Sequence, residues 1–285
     1  MEVEFFSKPA EFLSRTGNLI ISNEARYSLI NGIARRLVTS PHAYGKDDPW
    51  FCTVREEKEL CIAAMRTPPH KVLLALFSGD PVSIAMVLAD SISAFSPSLP
   101  RVIVDLEIAD PFAKHWCAKH KITIEERMAQ RVYRLEGINN IAFSSGKLRL
   151  ASIEDKELLT RWMHSFYLDA LASASPNTPE DDIAPKINRK EVYLWEDSVP
   201  VSMAAKTTPT ENGIRINSVY TPPEFRNRRY ATSCVAMLCK ELLDSGLKFC
   251  MLYTDLANST SNSIYKKIGF EEVCDSAEYT FSIPG

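Results

Sequence analysis

Two stretches of the chain, 140 positions apart, read as the same piece of structure. Residues 62–69, IAAMRTPP, anticipate residues 202–209, SMAAKTTP, and the same offset sets residues 53–57, TVREE, against residues 193–197, YLWED. In both places apolar β-formers flank a short acidic break, the pattern of two strands joined by a turn. A repeat of that period in 285 residues predicts two tandem copies of one fold, each of ordinary domain size. Apolar residues make up 45% of the chain and charged residues 24%, enough apolar side chains for a core in each copy. The seam is expected in residues 137–146, GINNIAFSSG, which are turn-rich and follow the charged run 131–136. The expected domains are therefore 1–145 and 146–285.

Periodicity predicts the elements of the second copy. Residues 148–151 read as a strand and 153–172 as a helix, with Ser152 as N-cap and Asp155 three positions on. Residues 173–184, rich in Ser, Pro and acid, read as a loop. Strands follow at 192–195, 199–207 and 213–220. Ala231, Cys234, Val235, Leu238 and Leu242 lie on one face of a helix over 231–243. A buried strand is expected at 249–253, a helix at 261–268 closed by Gly269, and a last strand at 274–282. Helices interleaved with strands that are partly hairpin-connected predict an α/β (α+β) fold with a mixed sheet. The first copy repeats the hairpin over 50–75, then reads as a helix at 112–120 and a strand at 128–135.

Charge and composition remove several function classes. A formal charge of −3 gives no sign of a nucleic-acid binder, which needs a basic excess against phosphates. The acidic start Met1-Glu2-Val3-Glu4 is unlike a signal peptide, and apolar runs such as 72–77 are far short of a membrane span. The expected location is the cytoplasm, with no membrane partner. Seven scattered cysteines without a C-x-x-C motif argue against a disulfide scaffold or a structural zinc site. His115, Cys117 and His120 are the nearest approach to a metal cluster, but a spacing of five splays the two histidines around a helix, so no metal is expected. No histidine follows His164, which excludes a Ser-His-Asp mechanism confined to the second half.

The chemistry concentrates in residues 221–231, TPPEFRNRRYA, between a predicted strand and a predicted helix. The prolines end the strand, and the helix start that follows offers unpaired N–H groups and the positive end of the helix dipole. Arg226, Arg228 and Arg229 make a phosphate the natural occupant; a solvated basic turn is the plainer alternative.

This segment resembles the pyrophosphate loop of the GNAT N-acetyltransferase superfamily, R/Q-x-x-G-x-G/A after a strand, with Arg226 first and Ala231 last. Downstream, residues 258–270, NSTSNSIYKKIGF, are similar to that family's N-x-x-S/A-x-x-x-Y-x-x-x-G-F element, 32 positions after the first motif. The resemblance covers 217–270 closely, and 147–285 fits the family's element order. Arg229 stands where the family has its central glycine, which lets the backbone approach the pyrophosphate. An arginine there can swing outward and pair with phosphate.

The resemblance implies acetyl-CoA as cosubstrate and direct acetyl transfer to an amine acceptor, a small molecule or a protein amine, without a metal. It implies that the backbone of Ser218, Val219 and Tyr220 meets the acetyl and pantetheine groups. The loop Arg226, Asn227, Arg228, Arg229, Tyr230 and Ala231, continued by Thr232, holds the pyrophosphate. Asn258 and Asn262 meet the coenzyme arm, and Tyr265 protonates the departing thiolate. Asn258 is equally a plain helix N-cap, and Tyr265 equally a core aromatic beside Ile264 and Ile268. A lysine amine, which ordinarily titrates at about 10.4, is neutral in roughly one part in a few thousand at pH 7, so a basic acceptor needs help losing its proton. Asp255 and Glu224 are the candidate bases, beside water relays. Glu180, Asp181 and Asp182 fall in the loop that shapes the family's acceptor groove.

The first copy lacks both motifs, and residues 72–100 contain no Lys or Arg. It reads as a degenerate GNAT-like domain, left to cover the acceptor side or to make a homodimer contact. Two alternatives to an enzyme stand beside this reading: a non-catalytic acyl-CoA-binding regulator, and a structural partner protein that docks through its arginine patch.

Overall fold

The computed structural model describes residues 1–170 and 178–282. Its elements run β1 (Glu2–Phe6), α1 (Pro9–Ser22), α2 (Ser28–Thr39), β2 (Trp50–Glu56), β3 (Glu59–Arg66), β4 (Val72–Leu76), α3 (Pro81–Phe95), β5 (Arg101–Asp105), α4 (Leu106–His120) and β6 (Ile124–Leu135). They continue as β7 (Lys147–Leu150), α5 (Lys156–Ala170), α6 (Pro179–Asn188), β8 (Val192–Asp197), β9 (Val199–Lys206), β10 (Gly213–Tyr220), α7 (Tyr230–Asp244), β11 (Phe249–Asp255), α8 (Ser259–Ile268) and β12 (Glu271–Phe281). The order β, α, α, β, β, β, α, β, α, β therefore occurs twice, and the fold is mixed α/β.

The chain packs into two compact units that do not follow this order end to end. The first comprises Met1–Val132, Thr254–Ala257 and the C-terminal end from Val273; the second comprises Tyr133–Tyr253 and Asn258–Glu272. The last residues of β6 thus belong to the second unit, and most of β12 to the first.

In the first unit β1, β2, β3 and β4 pair antiparallel in that order, and β4 pairs parallel to β5. On the other side of β5 lies β12, antiparallel, with Ser276 opposite Asp105 and Thr280 opposite Arg101. Ala277, Tyr279 and Phe281 bury themselves with residues of α3 and α4 in one core, while α1 and α2 cover the other face through Phe12, Ile20, Ile30 and Leu37. Burial of this kind is the main stabilising term of such a layered unit.

In the second unit β7, β8, β9 and β10 pair antiparallel, and β10 pairs parallel to β11. Alternation along β10 sends Ile214 and Ile216 into a core with α7 and α8. Tyr220 joins Met203 and Ala205 in a core under α5 and α6. At the first pair between β10 and β11 only glycine fits, because the Phe249 ring lies 2.2–2.8 Å from where a Cβ on Gly213 would stand. Gly269 closes α8 in the left-handed conformation, φ 118°, as the sequence predicts. Ser152 and Asp155 form the expected capping box ahead of α5.

One expectation needs correction. Residues 171–172 of the expected helix and 173–177 of the loop expected over 173–184 lie outside the described residues, but from Pro179 the chain is helical. Thr178 caps α6, Pro179 takes the first turn, and Glu180, Asp181 and Asp182 complement the dipole there. The acidic run belongs to a helix start, with Asp182 accepting a hydrogen bond from the Tyr167 hydroxyl.

Candidate functional site

The end of β10 is irregular where the site begins. Asn217 stands opposite Ala205 and Tyr220 opposite Met203, so Ser218 and Val219 together face the single Ala204. This is a β-bulge: the extra residue falls out of the ladder and its backbone groups are re-aimed. Ser218 takes φ 49° to accommodate it. Among the described residues the parallel ladder to β11 covers only Gly213–Arg215 and Phe249–Met251. The bulge therefore lies beyond the paired part of two parallel strands, at their carboxyl ends, where open α/β sheets receive ligands.

Pro222 and a 3-10 turn over Pro223–Phe225 then turn the chain toward α7. Asn227 and Arg229 are both left-handed, φ 64° each. Asn tolerates that region, whereas for arginine it costs about 1–2 kcal/mol. The position that the family fills with glycine thus demands glycine's conformation, and an arginine supplies it. Arg229 is the N-cap of α7, and no side chain caps the helix. Its first intrahelical bond from beyond the cap is Ser233 N to Arg229 O at 2.9 Å, so the N–H groups ahead of Ser233 have no acceptor within the helix.

The three arginines do different things. Arg226 turns back, its Nε donating to Thr221 O at 3.0 Å and its Nη2 to Asp169 Oδ2 at 2.7 Å. Arg228 lies near the Tyr230 hydroxyl and the Asp197 carboxylate. Arg229 is exposed and has no ion pair among the described residues. Tyr230, buried at the first position of α7, donates its hydroxyl to Asp197 Oδ2 at 2.6 Å, and Ser145 Oγ donates to the same oxygen at 2.7 Å. These bonds, Tyr230 first, hold the Asp197 carboxyl below its ordinary pKa, and the carboxylate holds the Tyr230 phenol above its own.

Asn258, Asn262 and Tyr265 share one face of α8. Asn258 is an N-cap, its Oδ1 accepting from Ser261 N at 2.9 Å. Asn262 Nδ2 donates to Asn258 O at 2.7 Å, and Asn262 Oδ1 accepts from the Tyr133 hydroxyl at 3.0 Å. Tyr265 is 7% exposed and packs its ring against Tyr133 and Phe270. Burial pushes its phenol well above the ordinary tyrosine range, so it keeps its proton at neutral pH. Thr232 is buried in the first turn of α7. Glu224 is exposed on the 3-10 turn, and Asp255, the last residue of β11, accepts from Ala257 N at 2.8 Å.

The second unit thus brings together the bulge, the uncapped helix start with its arginines, and the Asn258–Asn262–Tyr265 face. Sequence reasoning misses the bulge, Tyr133 and the Asp197–Ser145 support. Only the acidic hairpin break at Asp197 is visible in the sequence, and it reads as a turn. Among the described residues no three His, Cys, Asp or Glu side chains gather as a metal site. His115 Nε2 lies 2.9 Å from Asp90 Oδ1. No described helix is long and apolar enough to cross a membrane.

Residues 197–280, which carry the bulge, the loop, α7 and α8, match the FR47-like protein family. No curated protein matches the chain in sequence. Among solved structures it is similar to a GCN5-related N-acetyltransferase from Sphaerobacter thermophilus, with 13% identity and TM-score 0.63 over 99% of this chain and 96% of that one. It is also similar to an acetyltransferase of the GNAT family from Colwellia psychrerythraea, with 11% identity and TM-score 0.57 over 99% and 100%. A GCN5-related N-acetyltransferase from Kribbella flavida gives 15% identity and TM-score 0.55 over 90% and 96%. These likenesses are of fold, and they run through nearly the whole of each chain. By these likenesses the chain has the fold of the GNAT acetyltransferases, and residues 197–280 match the FR47-like family.

Proposed function

We propose that the chain is an N-acetyltransferase that moves acetyl from acetyl-CoA directly to an amine, in the cytoplasm. The observation that carries this reading is the bulge at Ser218 and Val219 beside the uncapped, arginine-flanked start of α7. The bulge releases backbone groups that suit an amide-rich pantetheine arm and a thioester carbonyl. The helix start offers N–H groups and a positive dipole end to a pyrophosphate. Acetyl-CoA would supply an activated thioester.

The remaining work falls to side chains of this chain. Arg228 and Arg229 add positive charge at the loop, while Arg226 steadies it from behind. Asn258 and Asn262 shape the start of α8. Tyr265, whose phenol holds its proton at neutral pH and is raised further by burial, is the proposed proton donor to the sulfur. For the proton lost by the amine, Glu224 and Asp255 are the proposed carboxylates.

The test is release of free thiol from acetyl-CoA by the full-length protein against a panel of small and peptide amines. Acceptor-dependent release supports the enzyme. CoA binding without turnover across the panel would favour a non-catalytic acyl-CoA-binding regulator.

A further inference from the structure

The left-handed conformation of Arg229 needs support from outside the loop, since an L side chain disfavours it and strained backbone persists only where its surroundings fix it. Two contacts hold the residues that follow. Tyr230 is tied through its hydroxyl to Asp197 at the β8–β9 turn, and Asp197 is itself held by Ser145. One turn on, the buried Ser233 Oγ accepts from both Ser144 N and Ser144 Oγ at 2.9 Å. The segment ahead of β7 and the tip of the β8–β9 hairpin therefore clamp the first turn of α7 through side chains at 230 and 233. Tyr230 is the nearer of the two to the strained residue, and its partner is charged.

We infer that Asp197 is a positioning residue for the coenzyme: through Tyr230 it holds Arg229 left-handed and keeps the free N–H groups of α7 aimed at the pyrophosphate. This rests on the acetyl-CoA reading above. It also carries a sign that simple electrostatics would reverse. A carboxylate close to an anion site repels the anion, so deleting it for its charge alone would tighten binding. Deleting it as a support loosens binding.

The experiment is calorimetric titration of the full-length protein with CoA. Asp197→Ala is expected to raise Kd on the order of tenfold, the effect of releasing one strained residue. Tyr230→Phe removes the same bond from the other side and is expected to do likewise. Asp197→Asn keeps an oxygen for Tyr230 and Ser145, and its Kd is expected to stay within about twofold of the parent. In an Arg229→Gly background, where glycine adopts the conformation unaided, Asp197→Ala is expected to change Kd by less than about twofold. Unchanged or tighter binding in Asp197→Ala, equal weakening in Asp197→Asn, or full persistence of the loss beside Arg229→Gly would each overturn the inference. If Asp197→Ala does not fold, Tyr230→Phe with and without Arg229→Gly gives the same cycle. A parent protein that binds no CoA would instead remove the acetyl-CoA reading, and the inference with it.

Discussion

β4 and β10 occupy the same place in the two halves of the chain: each ends an antiparallel run and each has a parallel neighbour, β5 or β11, on its other side. Their ends are finished differently. β4 keeps a regular register with β3 from Arg66–Val72 to Ile62–Leu76. Its last residue has both backbone groups taken, the N–H by Asp105 Oδ2 at 3.2 Å and the carbonyl by the Tyr27 hydroxyl at 2.6 Å. Asp105, itself the last residue of β5, is buried against Arg26 at 3.1 Å. The helix that follows, α3, is capped by Asp80, whose carboxylate accepts from Ser83 N and Oγ. β10 is bulged instead, and α7 starts uncapped beside arginines. One end has closed its hydrogen bonds on its own side chains and put negative charge at the helix start; the other is bulged and uncapped, and it is there that the proposed function seats the coenzyme.

The helices after the parallel strands differ in the same sense. Counting back from the left-handed residue that ends each, Lys121 or Gly269, Cys117 stands where Tyr265 does and Asp110 where Asn258 does. The largest effect is therefore expected from Tyr265→Phe, which removes one hydroxyl from the second unit and nothing from the first. Turnover should fall by on the order of 10²–10⁴ with CoA affinity kept, read from thiol release and calorimetry side by side. Unchanged turnover where chemistry limits the rate would return Tyr265 to the core and erase this part of the contrast.

Asp105→Ala attacks the closed end. It leaves half-buried Arg26 with Glu107 at 3.3 Å in place of the pair and Leu76 N–H without that acceptor, and should cost about 1–3 kcal/mol in urea denaturation. Asp105→Asn keeps an acceptor for Leu76 and should cost less. A loss under about 1 kcal/mol in the alanine variant would mean that the pair does not hold the first end shut.

Asn258→Ala should cost about 1 kcal/mol in stability, the usual worth of an N-cap. A loss of CoA affinity beyond that stability cost would add a direct coenzyme contact to the capping role.

The smallest expected effects are on pH dependence. Arg149, bonded to both Asp155 oxygens at 2.7 and 2.8 Å, holds the Asp155 carboxyl below its ordinary value of about 3.9. Its contribution to stability is present above that value and is lost as pH falls through the depressed one. Burial, opposed by Arg26, raises the Asp105 carboxyl, so its contribution is present below the ordinary value and fades as pH rises through the raised one. Asp155→Asn should flatten the acid limb of the stability profile, and Asp105→Asn should remove a slope of opposite sign. The same change of slope in both variants would contradict the two assignments.

Much of the second unit is legible in the sequence because its signals are local. The alternation in 213–220, the helical face from Ala231 to Leu242 and Gly269 after α8 each follow from the period of one element. What stays hidden depends on partners elsewhere in the chain. The bulge at Ser218 is a mismatch of register between two strands, and no residue type marks it. β6 and β12 read correctly as strands, yet nothing in their alternation tells that Ser276 to Thr280 will pair with β5. α6 escapes because Pro179 and three acids look like a loop in composition, although they are also what a helix start requires. Of the site, the motif residues can be seen; Asp197, Ser145 and Tyr133, which act through hydrogen bonds across the fold, cannot.

The central claim is that one of two equivalent strand ends receives the coenzyme. A crystal structure of the full-length protein with CoA tests it most directly. The account predicts the pyrophosphate against the N–H groups at the start of α7, the pantetheine arm along Ser218 and Val219, and no CoA at the start of α3. CoA seated at the end of β4, or bound away from residues 218–232, would contradict it.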